Sequence, residues 1–97
     1  MERLGFKPAK QKALEALRRG NYQIAVRTNL DAKNLLSTGE VTESDLISII
    51  ERCQGQHHER RPHDQIPQID VHILKRDGWY IKFYFLDPDT FFLSVHR

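Results

Sequence analysis

The sequence predicts an α+β fold in which N-terminal helices pack on one face of a three-stranded antiparallel C-terminal sheet. Two observations carry that prediction. The hydrophobic period changes from about 3.6 to about 2 beyond Ile66, and glycine, proline and Asp-rich dipeptides punctuate the chain where elements should end. At 97 residues the chain has room for one domain with a single modest core. Its parts are a mainly helical 1–55, a His/Arg-rich loop over 56–65 and an antiparallel meander over 66–97.

"KPAKQKALEALRRG" predicts the first helix. Pro8 suits the first turn, where its missing N–H costs nothing, and Gly20 suits a left-handed cap. Ala13, Leu14 and Leu17, extended by Phe6, form the apolar stripe, while Arg18 and Arg19 meet the negative end of the helix dipole. "NYQIAVRTNLDAKNLLSTGE" is less regular. Tyr22, Ala25, Val26, Leu30, Leu35 and Leu36 predict one or two further short helical pieces ending near Gly39. "VTESDLISIIERCQG" carries the clearest helix signature. Thr42 is the N-cap with Asp45 three residues on, Val41 and Leu46 occupy staple positions, and Gly55 marks the end. Leu46, Ile49, Ile50 and Cys53 make its buried stripe.

In the second half, Ile69, Val71 and Ile73 alternate with Asp70, His72 and Leu74. Trp79, Ile81, Phe83 and Phe85 alternate with Tyr80, Lys82, Tyr84 and Leu86, and Phe91, Leu93 and Val95 with Phe92, Ser94 and His96. "RDG" and "DPD" supply the turns. Keeping every apolar set on one face selects three-residue loops at 76–78 and 87–89, because a one-residue slip would turn a whole set outward. Val71 then faces Phe83, Ile73 faces Ile81, Ile81 faces Val95 and Phe83 faces Leu93. The opposite face collects His72, Tyr80, Lys82, Tyr84, Ser94 and His96, with Asp70 beside Tyr84.

Composition narrows the function classes. Hydrophobic residues at 39% and charged ones at 29% describe an ordinary globular chain. No apolar run approaches the roughly 18 residues of a membrane span, and the N-terminus lacks the apolar stretch of a signal peptide. The lone Cys53 cannot form an internal disulfide, which fits a reducing cytoplasm. A net charge of +2 permits nucleic-acid binding without demanding it. The five histidines say more, because histidine titrates near neutrality.

The predicted polar face is a platform of acids, bases and cations. Cleaving an RNA backbone without a metal needs a base for the 2′-hydroxyl proton, cations for the phosphorane and an acid for the leaving 5′-oxygen. Histidines suit both proton roles, Lys82, Arg60 and Arg61 suit the charge, and tyrosines on a sheet can stack unpaired bases. "HHERRPH" (57–63) runs directly into the first strand and so can fold over the same face. Its bland reading is a solvated loop, just as a wet antiparallel face always carries polar residues. A metal site fits poorly. His57 and His58 point apart on any regular backbone, and acidic or thiolate ligands are missing at zinc spacings. No glycine-rich phosphate loop, C-x-x-C pair or G-x-S-x-G elbow competes.

"GWYIKFYFLDPDTFFLSVHR" and "IDVH" resemble the C-terminal strands of the MqsR toxins of bacterial toxin–antitoxin pairs, within the RelE-like ribonuclease group. The resemblance covers about half the chain on short motifs. It implies a RelE-like compact α+β nuclease that cleaves mRNA without metal and is silenced by a cognate antitoxin. Tyr80 matches the family's active-site tyrosine, His96 stands where a C-terminal lysine is usual, and Arg60 falls near its basic loop residue. Ile69 replaces a glutamine, with Gln68 one place away.

The expected site is therefore His96 and Tyr80 for proton transfer, Lys82 and Arg60 for phosphate charge and His72 as a further catalytic imidazole. Arg61, Tyr84, His58, His63 and Ser94 are expected to bind substrate, with neither metal nor other cofactor. The expected partners are mRNA and an antitoxin encoded next door, through which alone operator DNA would be met; no membrane is involved. Two other classes fit the same residues. One is a non-catalytic RNA- or protein-binding module using the Tyr/Lys/His face, the other a regulatory partner whose sheet edge docks another chain.

Overall fold

The computed structural model of the chain describes residues 5–24, 34–86 and 88–97. Helix α1 (Phe6–Arg19) buries Ala9, Ala13, Leu14, Ala16 and Leu17, which return to one side every three to four residues. It begins two residues before Pro8, whose missing N–H still falls among the first-turn amides that lack helical partners. Gly20 stops it at φ 67°, its N–H directed to the carbonyls of Ala16 and Leu17.

A two-residue strand, β1 (Gln23–Ile24), stands where a further helical piece was expected. Ala25, Val26 and Leu30 lie outside the described residues. Helix α2 (Leu35–Thr38) is a single turn capped by the Asn34 side chain, which accepts from the N–H groups of Leu36 and Ser37, and ended by Gly39 at φ 82°. In α3 (Glu43–Arg52) the capping box is complete. Asp45 N–H donates to Thr42 Oγ1 at 3.1 Å and Thr42 N–H to Asp45 Oδ2 at 3.2 Å. Val41 and Leu46 join the same buried cluster. The exit differs from expectation: Cys53 leaves the helix in an extended conformation, and Gly55 opens a 3₁₀ turn (Gly55–His57) instead of capping α3.

The sheet has five strands and is mixed, in the order β1-β5-β4-β3-β2, with β1 parallel to β5. The predicted three-stranded meander is its centre: β3 (Asp70–Arg76), β4 (Trp79–Leu86) and β5 (Asp89–His96). Strand β2 (His58–Pro62), within the expected His/Arg loop, adds an antiparallel edge. Its sequence hid it because "HERRP" has no apolar alternation. Charged residues and a terminal proline are what an edge strand carries to discourage further pairing. Strand β1 leaves no local signal at all, being two residues paired to a strand near the other end of the chain.

Register corrects the predicted faces. Asp77 (φ 53°) and Gly78 (φ 81°) form a two-residue turn, both in the left-handed region that a type I′ hairpin requires. Arg76 therefore pairs with Trp79, Leu74 with Ile81, Ile73 with Lys82, His72 with Phe83 and Val71 with Tyr84. The loop has two residues instead of three, and the whole of β3 is flipped relative to expectation. In the second hairpin Ile81 does face Val95. A bulge then shifts the pairing, so Phe83 faces Phe92 and Leu93 is the extra residue. Leu86 pairs with Asp89, leaving two residues in that connection.

Helices α1 and α3 cover one face of the sheet. Ala13, Leu14, Leu17, Leu46, Ile49 and Ile50 meet Leu74, Ile81, Phe83, Phe92 and Val95 there in one continuous core. Val71, Ile73 and Leu93 form a second, thinner apolar layer on the opposite face, packed by Tyr80 and Tyr84. All of Val71, His72, Ile73 and Leu74 are buried as a result. The assumption of one fully wet face fails at this strand.

Candidate functional site

Strands β4 and β5 bring Tyr80 and His96 face to face on the side of the sheet away from α1 and α3. The two are directly paired in the ladder, and their rings stack with centroids 5.1 Å apart and planes at 16°. Both are half-buried. His96 Nδ1 lies 3.1 Å from the main-chain oxygen of Arg97. That oxygen can only accept, so Nδ1 carries a hydrogen, and in the neutral ring Nε2 keeps its lone pair. An imidazole so oriented can take a proton through Nε2. The ammonium of Lys75 lies 5.7 Å from the Tyr80 ring centroid.

Two residues further along β4, Lys82 stands between Ile73 and the buried Ser94 on the same face. Two more residues on, Tyr84 stacks on Phe91 at 5.0 Å with the planes within 7°, and His63 meets Tyr84 edge-on at 4.9 Å. Arg61 shares this face on β2, where it binds Glu59 at 2.9 Å, and Lys75 binds the same carboxylate at 3.0 Å. Together the two cations hold the Glu59 carboxyl below its usual range, the Lys75 hydrogen bond contributing most.

Three expected site residues sit elsewhere. His72 lies on the helix-covered face at 1% exposure, between the rings of Phe83 at 5.6 Å and His58 at 5.2 Å. Its Nδ1 is 3.0 Å from His58 Nε2. Burial, then the neighbouring His58, pushes its pKa down to about 4, with Asp70 opposing and Arg60 assisting. His58 is also lowered, by burial first and Arg60 second. One neutral imidazole therefore donates to the other. Arg60 pairs with His72 in the ladder and approaches Asp70 at 3.9 Å, so alternation puts it with His58 on the helix-side face, away from Tyr80 and His96. The cause in each case is the two-residue turn, which inverts β3 and carries β2 with it.

The remaining histidines of "HHERRPH" hold turns in place. His57 Nδ1 accepts from Gln54 N–H at 2.8 Å. His63 Nδ1 accepts from the N–H groups of Gln65 and Ile66 at 3.1 and 3.2 Å. The stretch is thus an edge strand whose flanking imidazoles act as hydrogen-bond acceptors and, at His58, as the partner of a buried histidine.

Cys53 is fully buried, its thiol directed to the Ile49 carbonyl. Burial pushes its pKa up, which disfavours the nucleophilic thiolate. Among the described residues no group of three or more His, Cys, Asp or Glu side chains could hold a metal ion. No described helix is long and apolar enough to cross a membrane.

Sequence reasoning missed Phe91, Leu93 and Lys75 as members of this face. Phe91 and Leu93 had been turned inward because an unbroken alternation was extended through the bulge. The one available signal was the run "TFFLSV", whose adjacent apolar residues cannot all satisfy a period of 2. No family model matches the chain, and neither a curated protein nor a solved structure matches it significantly.

Proposed function

We propose that this chain is the toxin of a type II toxin–antitoxin pair, a metal-independent endoribonuclease of RelE-like fold that cleaves mRNA by 2′-hydroxyl transesterification in the cytoplasm. The observation that carries the reading is the stacked Tyr80–His96 pair beside Lys82, which joins a proton acceptor, a proton donor and a cation on the sheet face away from α1 and α3. His96 Nε2 takes the 2′-hydroxyl proton as the 2′-oxygen bonds to phosphorus. The bond from phosphorus to the 5′-oxygen breaks, and the Tyr80 hydroxyl protonates that oxygen. The products are a 2′,3′-cyclic phosphate and a 5′-hydroxyl, and Lys82 opposes the charge of the phosphorane. An antitoxin would silence the protein by covering this face. The resemblance of "GWYIK" and "LSVH" to the MqsR endings supports the same reading. Arg60 and His72, on the other face, have no part in it.

End-labelled RNA incubated with the purified protein in EDTA tests the proposal. Wild type should cut it to cyclic-phosphate ends, and His96→Ala and Tyr80→Phe should each slow cleavage by about 10²-fold or more. RNA that is bound and left intact by wild type would assign the face to a binding module instead. Cleavage by both variants at the wild-type rate would remove the proposed centre.

A further inference from the structure

The sheet face away from α1 and α3 holds a second aromatic stack, which the cleavage chemistry leaves unused. Tyr84 and Phe91 lie nearly parallel at 5.0 Å, both half-buried, and His63 closes one side edge-on at 4.9 Å. Several contacts fix this group. Tyr84 packs on the apolar layer of Val71, Ile73 and Leu93. His63 is held by the two backbone amides that donate to its Nδ1, and its own N–H donates to the Ile69 carbonyl at 2.8 Å, closing the loop that carries it.

The position of the group is as informative as its composition. Along β4, same-face residues run Tyr80, Lys82, Tyr84, and their partners on β5 are His96, Ser94 and Phe91. Two ring stacks therefore flank one cation, with the tyrosines four residues and roughly 13 Å apart along the strand. A phosphate beside Lys82 would place an attached nucleoside within reach of the Tyr84 end. Among the described residues of this face, Arg61, Lys75 and Lys82 outnumber the acids Glu59 and Asp89, and Arg61 and Lys75 already offset Glu59. That balance suits a polyanion whose bases are unpaired, since a ring face can stack a nucleobase of any identity.

We infer that Tyr84, Phe91 and His63 form a nucleobase-stacking subsite for single-stranded RNA, one nucleotide from the phosphate held at Lys82. This inference rests on the RNA-cleaving reading of the face and adds to it a separate element that grips substrate without touching the reacting atoms.

The test uses a short 2′-deoxy oligonucleotide, which cannot be cleaved, with 2-aminopurine at successive positions. Wild type should quench the probe strongly at one position. Tyr84→Leu and Phe91→Leu should abolish that quenching and weaken binding about ten- to hundredfold. The ring-retaining Tyr84→Phe and Phe91→Tyr should restore both, which separates lost stacking from lost folding. On a cleavable RNA the leucine variants should raise KM and leave kcat largely intact. Oligonucleotide that binds without quenching, or equally well to the leucine variants, would overturn the subsite alone. A wild-type protein that binds no oligonucleotide would overturn the RNA reading with it.

Discussion

On the face under α1 and α3, Leu74, Ile81, Phe83, Phe92 and Val95 are at most 1% exposed and meet helix side chains. On the opposite face Val71, Ile73 and Leu93 are nearly as dry, at 1–3%, yet their described cover consists of Tyr80 and Tyr84. The same strands thus bury apolar residues in two ways. One side is covered by α1 and α3; on the other, among the described residues, half-buried tyrosines of the sheet itself pack over the apolar layer. A face of the second kind leaves Tyr80, Lys82, Tyr84 and His96 partly exposed over a firm base, which is where a binding or catalytic surface can form. The first kind tolerates a polar group only if it is neutral and bonded, as His72 is.

The largest effect expected from this contrast is at Phe83. Its replacement by alanine should lower stability by about 3–5 kcal/mol in urea unfolding, because fixed helices cannot collapse into the space. A loss below 1 kcal/mol would mean that the helix-covered face is looser than its burial implies.

His72 gives the next effect, through pH. Folded, its pKa is down at about 4; unfolded, it returns to about 6.5. Between those values the unfolded chain binds the extra proton, so stability falls as pH falls. The contribution is complete above about pH 6.5 and gone below about pH 4, and is worth on the order of 3 kcal/mol. Urea midpoints at pH 7 and 5 should therefore separate widely for wild type and much less for His72→Phe. An equal separation in both proteins would assign the acid sensitivity to other groups.

Gly78→Ala should cost about 1 kcal/mol, because φ 81° is strained for any residue with a Cβ although the space there is open. Thermal unfolding of this variant tests whether the turn, and not only the core, holds β3 in its register. Tyr80→Phe should change stability least, within about 0.5 kcal/mol, while it removes the hydroxyl assigned to proton donation. A large drop in Tm would make that hydroxyl structural and blur the distinction between the faces.

The sequence reading succeeded where the signal is local. The capping box at Thr42, the left-handed stop at Gly20, the helical end near Gly39 and the change of hydrophobic period all announced themselves within a few residues. The Tyr80–His96 juxtaposition came out right although the expected three-residue second turn did not, because the bulge in β5 offsets the residue by which the turn is shorter and restores Ile81 to Val95. His72, Arg60 and Phe91 went to the wrong side. A period of 2 defines two sets of side chains without saying which faces the helices, and in "VHIL" both sets are apolar enough to be buried. Asp77-Gly78 held the answer, and the requirement for a single dry face overruled it.

By itself, then, the sequence determined the elements whose hydrogen bonds close within a few residues, the α+β class and the residue types on offer for chemistry. Tertiary structure alone decided which set of β3 faces inward, that "HERRP" pairs as an edge, where β5 bulges and that His58 and His72 hydrogen-bond to each other. Each of these depends on contacts between residues distant in the chain, or on a choice between two nearly equal apolar faces. Only the covering of one face by α1 and α3 and the pairing of whole strands break that tie.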